Sequence, residues 1–441
     1  MSLANNILGE KVLEQGIKYI VDGNEEKLPF LLNIGEKLAF DPIHKQNIQN
    51  VRKVLQDQDS NWYQLSKKLF KDVHPNIKKR MAVNFFLNAN LLGKPRQIEM
   101  EEKLDTSVPW AILIDPTERC NLSCVGCWAG DYQGTRDLDF EILDRVLTEG
   151  EDLGIYFTVV SGGEPLIRKD DLIKLAEKHP EQVIHIFTNG TLIDDDFAKE
   201  VVRVGNITFA ISLEGLEEST DARRGKGVFK KVMRAMDILK ENRCIFGFSA
   251  TYGRNNTEEI ASDEFMELMV EKGCMFGWLF TYIPIGKDVD LKVMATPEQR
   301  AFMYKSVCKV RDEKPIFVVD FWNDGNSSNG CIAGGKRYFH INAAGDVEPC
   351  AFVHYATCNI KDMSLSKALQ NPFFKAYRKR QPFNENLFRP CPLIDNPEAM
   401  VEMVRESKAK PTQSTSDETP EEFADKLKEY ANEWGKVSSN I

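Results

Sequence analysis

Three cysteines, Cys120, Cys124 and Cys127, stand close together in the stretch PTERCNLSCVGCWAG. Three thiolates at this CxxxCxxC spacing can each meet a different iron of a cubane 4Fe–4S cluster and leave the fourth iron open. A structural zinc takes four closed ligands, and neither a His nor a fourth Cys stands beside these three, so zinc fits them poorly.

Seven more cysteines complete a total of 10. Cys244, Cys274 and Cys308 sit singly in apolar or helical surroundings, where a free Cys packs as a small hydrophobe. Cys331, Cys350, Cys358 and Cys391 lie instead among Gly, Pro and Asn, in loop-like contexts where ligands belong. The opening residues MSLANNILGEKVLEQ carry acids and no small-residue cleavage site, so no export signal is expected there. Without export, a disulfide framework is the weaker use of these thiols.

The elements that must position these groups are legible as runs. AILID, YFTVV, VIHIF, ITFAIS, IFGFSA, WLFTYI and IFVVD, spread between residues 111 and 320, are short and rich in β-branched or aromatic residues. Helical stretches such as DFEILDRVLTEGEDLG and FKKVMRAMDILKENR separate them. Such alternation predicts a parallel sheet with helices outside it, here an α/β partial (β/α)6 TIM-like barrel. Function in barrels collects in the loops that follow the strands. The unusual residues do follow: PTERCNLSCVGC after AILID, SGGEP after YFTVV, TNGT after VIHIF, LEGLEE after ITFAIS and TYGRNN after IFGFSA.

Residues 1–105 read as a helical N-terminal region, with apolar spacings of three and four in KVLEQGIKYIV and IQNVRKVLQ. Within it, 62–96 is basic and interleaved with Trp62, Tyr63, Phe70, Phe85 and Phe86. The plain reading is helices packed on the main domain; the sharper one is peripheral contact with an anionic membrane surface or partner. The barrel is assigned to 106–325 and an auxiliary domain to 326–405. A polar linker and C-terminal helix fill 406–441. That helix begins at Thr419-Pro420-Glu421-Glu422 and carries a stripe of Phe423, Leu427, Tyr430 and Trp434.

Composition narrows the partners. Lys plus Arg is 57 against 67 acids, a net charge of −10, which argues against nucleic-acid binding. Mean hydropathy is −0.37, and no apolar run reaches the ~18 residues of a spanning helix. A cytoplasmic protein, with peripheral membrane contact as the sharper expectation, fits these features.

CxxxCxxC after one strand and SGGEP after the next resemble the radical S-adenosylmethionine (SAM) superfamily, over roughly residues 110–320. The resemblance implies that Cys120, Cys124 and Cys127 hold a 4Fe–4S cluster whose open iron chelates SAM. Ser161, Gly162, Gly163 and Glu164, with Pro165, match the segment whose backbone meets the methionyl amino group. A side chain on either glycine is expected to block that approach. Thr188 and Asn189 match polar positions near SAM, and Ser212 and Glu214 match positions that reach its ribose or methionyl part. Arg224 or its neighbour Arg223 would pair the SAM carboxylate. Gly126 departs from the aromatic residue frequent before the third Cys, and Trp128 stands just after it.

Cys331-x13-Gly345-x4-Cys350, followed by NIKDMSLSKALQNPFFKAYR, resembles the auxiliary-cluster extension called SPASM or, when shortened, twitch. The stretch FHINAAGDVEPC reads as a hairpin. One auxiliary 4Fe–4S cluster is implied, on Cys331, Cys350 and Cys391, with Cys358 as the fourth ligand. Asp395 or His354 could ligate instead, or three cysteines could leave an iron open; structural zinc is the alternative use of four thiolates.

The expected activity is reductive cleavage of SAM to a 5′-deoxyadenosyl radical that abstracts hydrogen from a peptide, lipid or small molecule, assisted by the auxiliary cluster. A low-potential donor of flavodoxin or ferredoxin type would supply the electron. No catalytic residue is assigned beyond the cluster. A lipid-modifying or C–C-bond-forming enzyme is the second reading, and a non-catalytic electron carrier the third. The SGGEP loop argues against the carrier, which needs no SAM pocket.

Overall fold

A computed structural model describes residues 15–16, 32–33, 36, 42–130, 135–413 and 418–441. The helical reading of KVLEQGIKYIV lies outside these residues apart from 15 and 16, which are helical.

Seven parallel strands follow one another in sequence order: β1 (Ala111–Ile114), β2 (Phe157–Val160), β3 (Val183–Thr188), β4 (Ile207–Leu213), β5 (Phe246–Tyr252), β6 (Phe276–Thr281) and β7 (Phe317–Asp320). Each matches one of the seven runs. Two more strands extend the sheet from the far side. β8 (Tyr338–Ile341) pairs parallel with β1, with Leu113 opposite His340, and β9 (Val347–Glu348) returns antiparallel to β8. The expected hairpin is therefore present, turning through Gly345 at φ +93°. Its docking on β1 was not foreseen.

Side chains alternate faces along each strand. Ile112, Ile184, Ile186, Phe209 and Ile211 form one set, fully buried against helix residues such as Leu143, Val201, Val232 and Phe265. The helix Val228–Glu241 shows why it lies there: Val232, Ala235, Met236 and Leu239 recur at helical spacing and are all buried. The opposite set faces the barrel axis. Leu113, Val159, Phe187, Ser212, Thr251 and Phe280 belong to it, and each keeps some exposure although helices cover the outer face. That exposure is to an internal opening, so the lumen is hollow toward the strands' C-terminal ends.

The other end is plugged. After helices Asn61–Asp72 and Pro75–Met81 and a π-helical stretch Ala82–Leu92, Phe85 packs on Trp110 and Phe157. Trp110 stacks on Phe157 at 4.5 Å, and its Nε1 donates to the Ala89 carbonyl at 3.1 Å. The basic segment is thus packed on the barrel floor. Arg80 bonds to the body through the Pro180 carbonyl, and Lys78 Nζ donates within the segment to the Phe70 carbonyl. Trp62 and Phe86 stay exposed.

A second core gathers Tyr282, Trp322, Tyr377, Ile394, Met403 and Leu427. The C-terminal helix Pro420–Ser438 opens with the capping box of Thr419 and Glu422. Its stripe docks on the body: Trp434 is fully buried, donates to the Phe388 carbonyl at 2.8 Å and faces the Arg300 guanidinium at 4.2 Å. Among the described residues no helix is long and apolar enough to cross a membrane.

Candidate functional site

The cysteine loop and the SGGEP loop are joined by their backbones. Ser161 N donates to the Ile114 carbonyl at 3.1 Å, Gly163 N to that of Thr117 at 2.9 Å and Glu164 N to that of Arg119 at 2.8 Å. The glycines make this possible. A Cβ on Gly163 would fall on the carbonyl oxygens of Glu118 and Arg119, and one on Gly162 would lie 2.5 Å from the Thr117 carbonyl. Gly162 also sits at φ +116°, which L side chains rarely adopt. The space a side chain would need at either glycine is taken by the start of the cysteine loop, a constraint beside the expected approach of a ligand to this backbone.

Glu164 then ties this pair to the TNGT loop. Its carboxylate accepts from Thr188 Oγ1 at 2.6 Å, Asn189 N at 2.8 Å and Leu166 N at 2.9 Å. Burial pushes its pKa up, against the pull of those donors. Asn189 Nδ2 donates to Asn121 Oδ1 at 2.8 Å, which returns the link to the cysteine loop one residue after Cys120. Thr188 and Asn189 are both buried.

Glu214, at the end of β4, is buried and ion-paired twice, to Arg223 at 2.8 Å and Arg224 at 2.5 Å. Thr251 N supplies a third donor at 3.1 Å. Arg224 and Glu214 therefore meet each other in this structure. Burial opposes the charge of Arg224, but the adjoining carboxylate outweighs it and holds the guanidinium firmly protonated. Arg223 reaches further: its Nε and Nη2 donate to the carbonyls of Val125 and Gly126 at 3.1 Å, and Val125 N donates back to Arg223 O at 2.9 Å. Arg223 thus clamps the middle of CxxxCxxC, a role its position in DARRGKG did not announce. Ser212 faces the lumen opposite Ser249.

Cys120 is exposed, and Cys124 and Cys127 are half-buried. Burial of its sulfur raises the Cys120 thiol to about 11 despite the Leu122 N–H that it accepts. Burial raises Cys124 too, and Arg224 and Arg223 pull it back toward the thiolate.

Cys331, Cys350 and Cys391 share the second core, grouped around Tyr377. Burial raises all three, Cys350 to about 12, and the charge of Cys331 adds to the rise at the other two. Tyr338 donates its hydroxyl to Cys350 Sγ at 2.8 Å, and Leu393 N to Cys391 Sγ at 3.4 Å. Cys358 does not join them. It packs against the barrel core instead, with Asp346 as its charged neighbour, and its carbonyl accepts from Val347 N. Asp395 is engaged in a fully buried ion pair with Arg300 at 2.6 Å and accepts from Cys391 N at 3.0 Å. His354 stacks on Trp128, and burial pushes it down to about 3.

Between the two cysteine groups lies a triad that the sequence did not flag. His340 is fully buried with Asp115 on Nε2 at 2.8 Å and Glu348 on Nδ1 at 2.7 Å. Burial disfavours its charge, but the two carboxylates prevail and raise it to about 10. Asp115 directly follows β1, and Glu348 stands two residues before Cys350. Trp128, next to Cys127, packs edge-on to His340 at 6.0 Å and against Phe352 at 5.8 Å.

The family described as the radical SAM superfamily matches residues 114–265, and the iron–sulfur cluster-binding SPASM domain matches 331–392. The chain carries a radical SAM domain followed by a SPASM domain. Mycofactocin maturase MftC of Mycolicibacterium smegmatis is 28% identical over 275 residues, 58% of this chain and 68% of that protein. Fe-coproporphyrin III synthase of Methanosarcina barkeri is 34% identical over 149 residues, so the match spans 33% of this chain and only 37% of that relative. SuiB of Streptococcus suis bound to S-adenosylmethionine superposes with a TM-score of 0.56 at 15% identity, covering 79% of this chain and 84% of that one. At that identity the likeness concerns the fold.

A radical SAM domain uses a 4Fe–4S cluster and SAM, and a SPASM domain brings further iron–sulfur chemistry. The residues of this chain fit such groups. Among the described residues no three His, Cys, Asp or Glu side chains converge on a single ion position; a cubane does not ask this of its ligands, since each thiolate meets its own iron. Both groups offer three thiols in partly or wholly dry surroundings, with the charges of Arg223 and Arg224 near Cys124 and the Tyr338 hydroxyl donating to Cys350 Sγ.

Proposed function

We propose that this radical SAM enzyme cleaves SAM at a 4Fe–4S cluster held by Cys120, Cys124 and Cys127, and uses the resulting radical on a substrate in the barrel lumen. The interlocking of the cysteine loop with SGGEP through two backbone hydrogen bonds, from Gly163 N to Thr117 and from Glu164 N to Arg119, carries this reading. A cluster bound there would supply single-electron reduction of SAM, and these three thiolates would hold it.

The chain's own residues supply placement. Arg223 fixes the carbonyls between Cys124 and Cys127, and Glu164 holds SGGEP against TNGT, so the polar groups around SAM are ordered before it arrives. The floor of Phe85, Trp110 and Phe157 closes the barrel below and keeps water from a reactive carbon centre.

Cys331, Cys350 and Cys391 would hold the auxiliary cluster, and Cys358 would stand apart from it. Their grouping in one core, with Cys358 elsewhere, supports this version of the site. An electron leaving the substrate radical would find the acceptor beside Tyr338, on β8 next to β1. The reaction class is thus a radical oxidoreduction.

Anaerobically reconstituted protein, reduced with dithionite, should release 5′-deoxyadenosine from SAM, and Cys124→Ala should abolish the release. Wild-type release by the variant would overturn the assignment.

A further inference from the structure

Neither Asp395 nor Arg300 lies in the stretches that the two families match, yet Asp395 brackets the backbone of Cys391 and Arg300 holds Asp395. Asp395 comes four residues after Cys391, in CPLIDNP. Its Oδ2 accepts from Cys391 N at 3.0 Å, and its own N donates to the Cys391 carbonyl at 3.1 Å. Asn396 gives that carbonyl two more donors, its N at 3.0 Å and its Nδ2 at 3.2 Å. The N–H and the C=O of Cys391 are thus both fixed, which sets where its Cα–Cβ bond points. Within the same turn Leu393 N donates to Cys391 Sγ at 3.4 Å.

The carboxylate is itself held from the barrel side. Arg300, in the first turn of the helix Pro297–Glu313, gives Nη1 to Oδ1 at 2.6 Å and Nη2 to Oδ2 at 3.3 Å, with both side chains fully buried. The guanidinium is fixed in turn. Its Nε donates to Asn323 Oδ1 at 3.1 Å, its Nη2 to the Phe388 carbonyl at 3.3 Å, and the Trp434 ring covers it at 4.2 Å. Such a two-pronged pair fixes orientation as well as position. Charge is not what Cys391 gains from it, since a lone carboxylate beside a thiolate opposes it and Arg300 only offsets that effect. Nor does stability alone account for the pair, because apolar residues of similar volume often replace a buried ion pair without loss. What remains is geometry: a carboxylate oxygen held at the Cys391 N–H.

We propose that Asp395 is a positioning residue for the auxiliary cluster: it orients the Cys391 sulfur toward the group formed with Cys331 and Cys350, and Arg300 keeps its carboxylate in place. The proposal rests on the reading of these three cysteines as the cluster's ligands. Asp395, which its place in the sequence offered as a substitute ligand, acts instead on the backbone of the ligand itself.

The test compares full-length proteins reconstituted anaerobically with iron and sulfide. Iron content and the EPR signals of the reduced clusters are read, with SAM titration of the first cluster as the control for folding. The wild type should hold about eight irons per chain, two clusters' content. Arg300→Met with Asp395→Asn removes both charges but leaves an amide oxygen for the Cys391 N–H. It should keep about eight irons and the wild-type auxiliary signal. Arg300→Met with Asp395→Leu removes the same charges and the acceptor as well. It should fall to about four irons and lose the auxiliary signal, with SAM affinity unchanged. A merely structural ion pair would make the two double variants behave alike, so equal iron and equal auxiliary signals in the two would overturn the proposal. Where the Leu variant does not fold, Arg300→Met with Asp395→Ala carries the same comparison. About four irons in the wild type, with all of its EPR signal shifting on SAM addition, would instead remove the auxiliary cluster and leave the radical SAM reading standing.

Discussion

Thr188 Oγ1 donates to Glu164 Oε1 across 2.6 Å, in a spot where neither side chain reaches solvent. This bond joins the loop after β2 to the loop after β3, and two backbone N–H groups complete the shell of the same carboxylate. Glu164→Ala should therefore leave three buried donors without an acceptor. At about 1–3 kcal/mol for each, the variant should lose several degrees of thermal midpoint and most of its SAM affinity. Glu164→Gln keeps one acceptor oxygen and should fall between. Calorimetric scans and SAM titrations on both variants check this order.

Gly163→Ala should remove the first cluster and SAM binding together. The added methyl group falls on the carbonyls of Glu118 and Arg119, and overpacking of this kind costs about 1–3 kcal/mol. The displacement is passed to the residues next to Cys120. Iron content and the charge-transfer absorption of the purified protein report it; retention of iron with loss of SAM alone would return the glycines to a ligand-clearing role.

Replacing Cys331, Cys350 or Cys391 singly by Ala should lower iron by about four atoms per chain, one cluster's content. Cys358→Ala should leave iron unchanged, because its sulfur lies against the barrel core rather than in the second core. Iron assay on the four variants separates a three-cysteine site from a four-cysteine one.

His340 gives a pH signature. Its pKa rises from 6.5 to about 10 on folding, because the flanking Asp115 and Glu348 outweigh the cost of burying its charge. A raised folded value means the native state binds the extra proton, so the stabilisation is complete below about pH 6.5. It is lost as pH climbs toward 10. Denaturant midpoints between pH 6 and pH 10 should fall for the wild type, and His340→Gln should flatten this slope while lowering the midpoint at pH 6.

Much of this architecture was readable beforehand because it is written in local pattern. β-Branched runs mark all seven parallel strands, and the polar residues that follow them converge as barrel geometry requires. What escaped depends on partners distant in sequence. A glycine pair announces missing side chains but not the neighbour that takes their place, so the packing of Gly163 on the carbonyls of Glu118 and Arg119 was not legible. Cys358 looks like Cys350 in composition of its surroundings, yet the hairpin puts the two in different cores. His340 reads as an ordinary strand residue until β8 is laid beside β1 and Asp115 arrives at its Nε2.

That parallel seam between β1 and β8 also governs how the chain can be dissected. Cutting before residue 338 strips β1 of one of its two hydrogen-bonding neighbours and leaves an apolar strand, Ala111–Ile114, bare along one side. Naked strand edges recruit other chains, so a truncated barrel should precipitate or self-associate rather than survive as an independent catalytic unit. The separate-looking C-terminal module is, in backbone terms, the barrel's last stave.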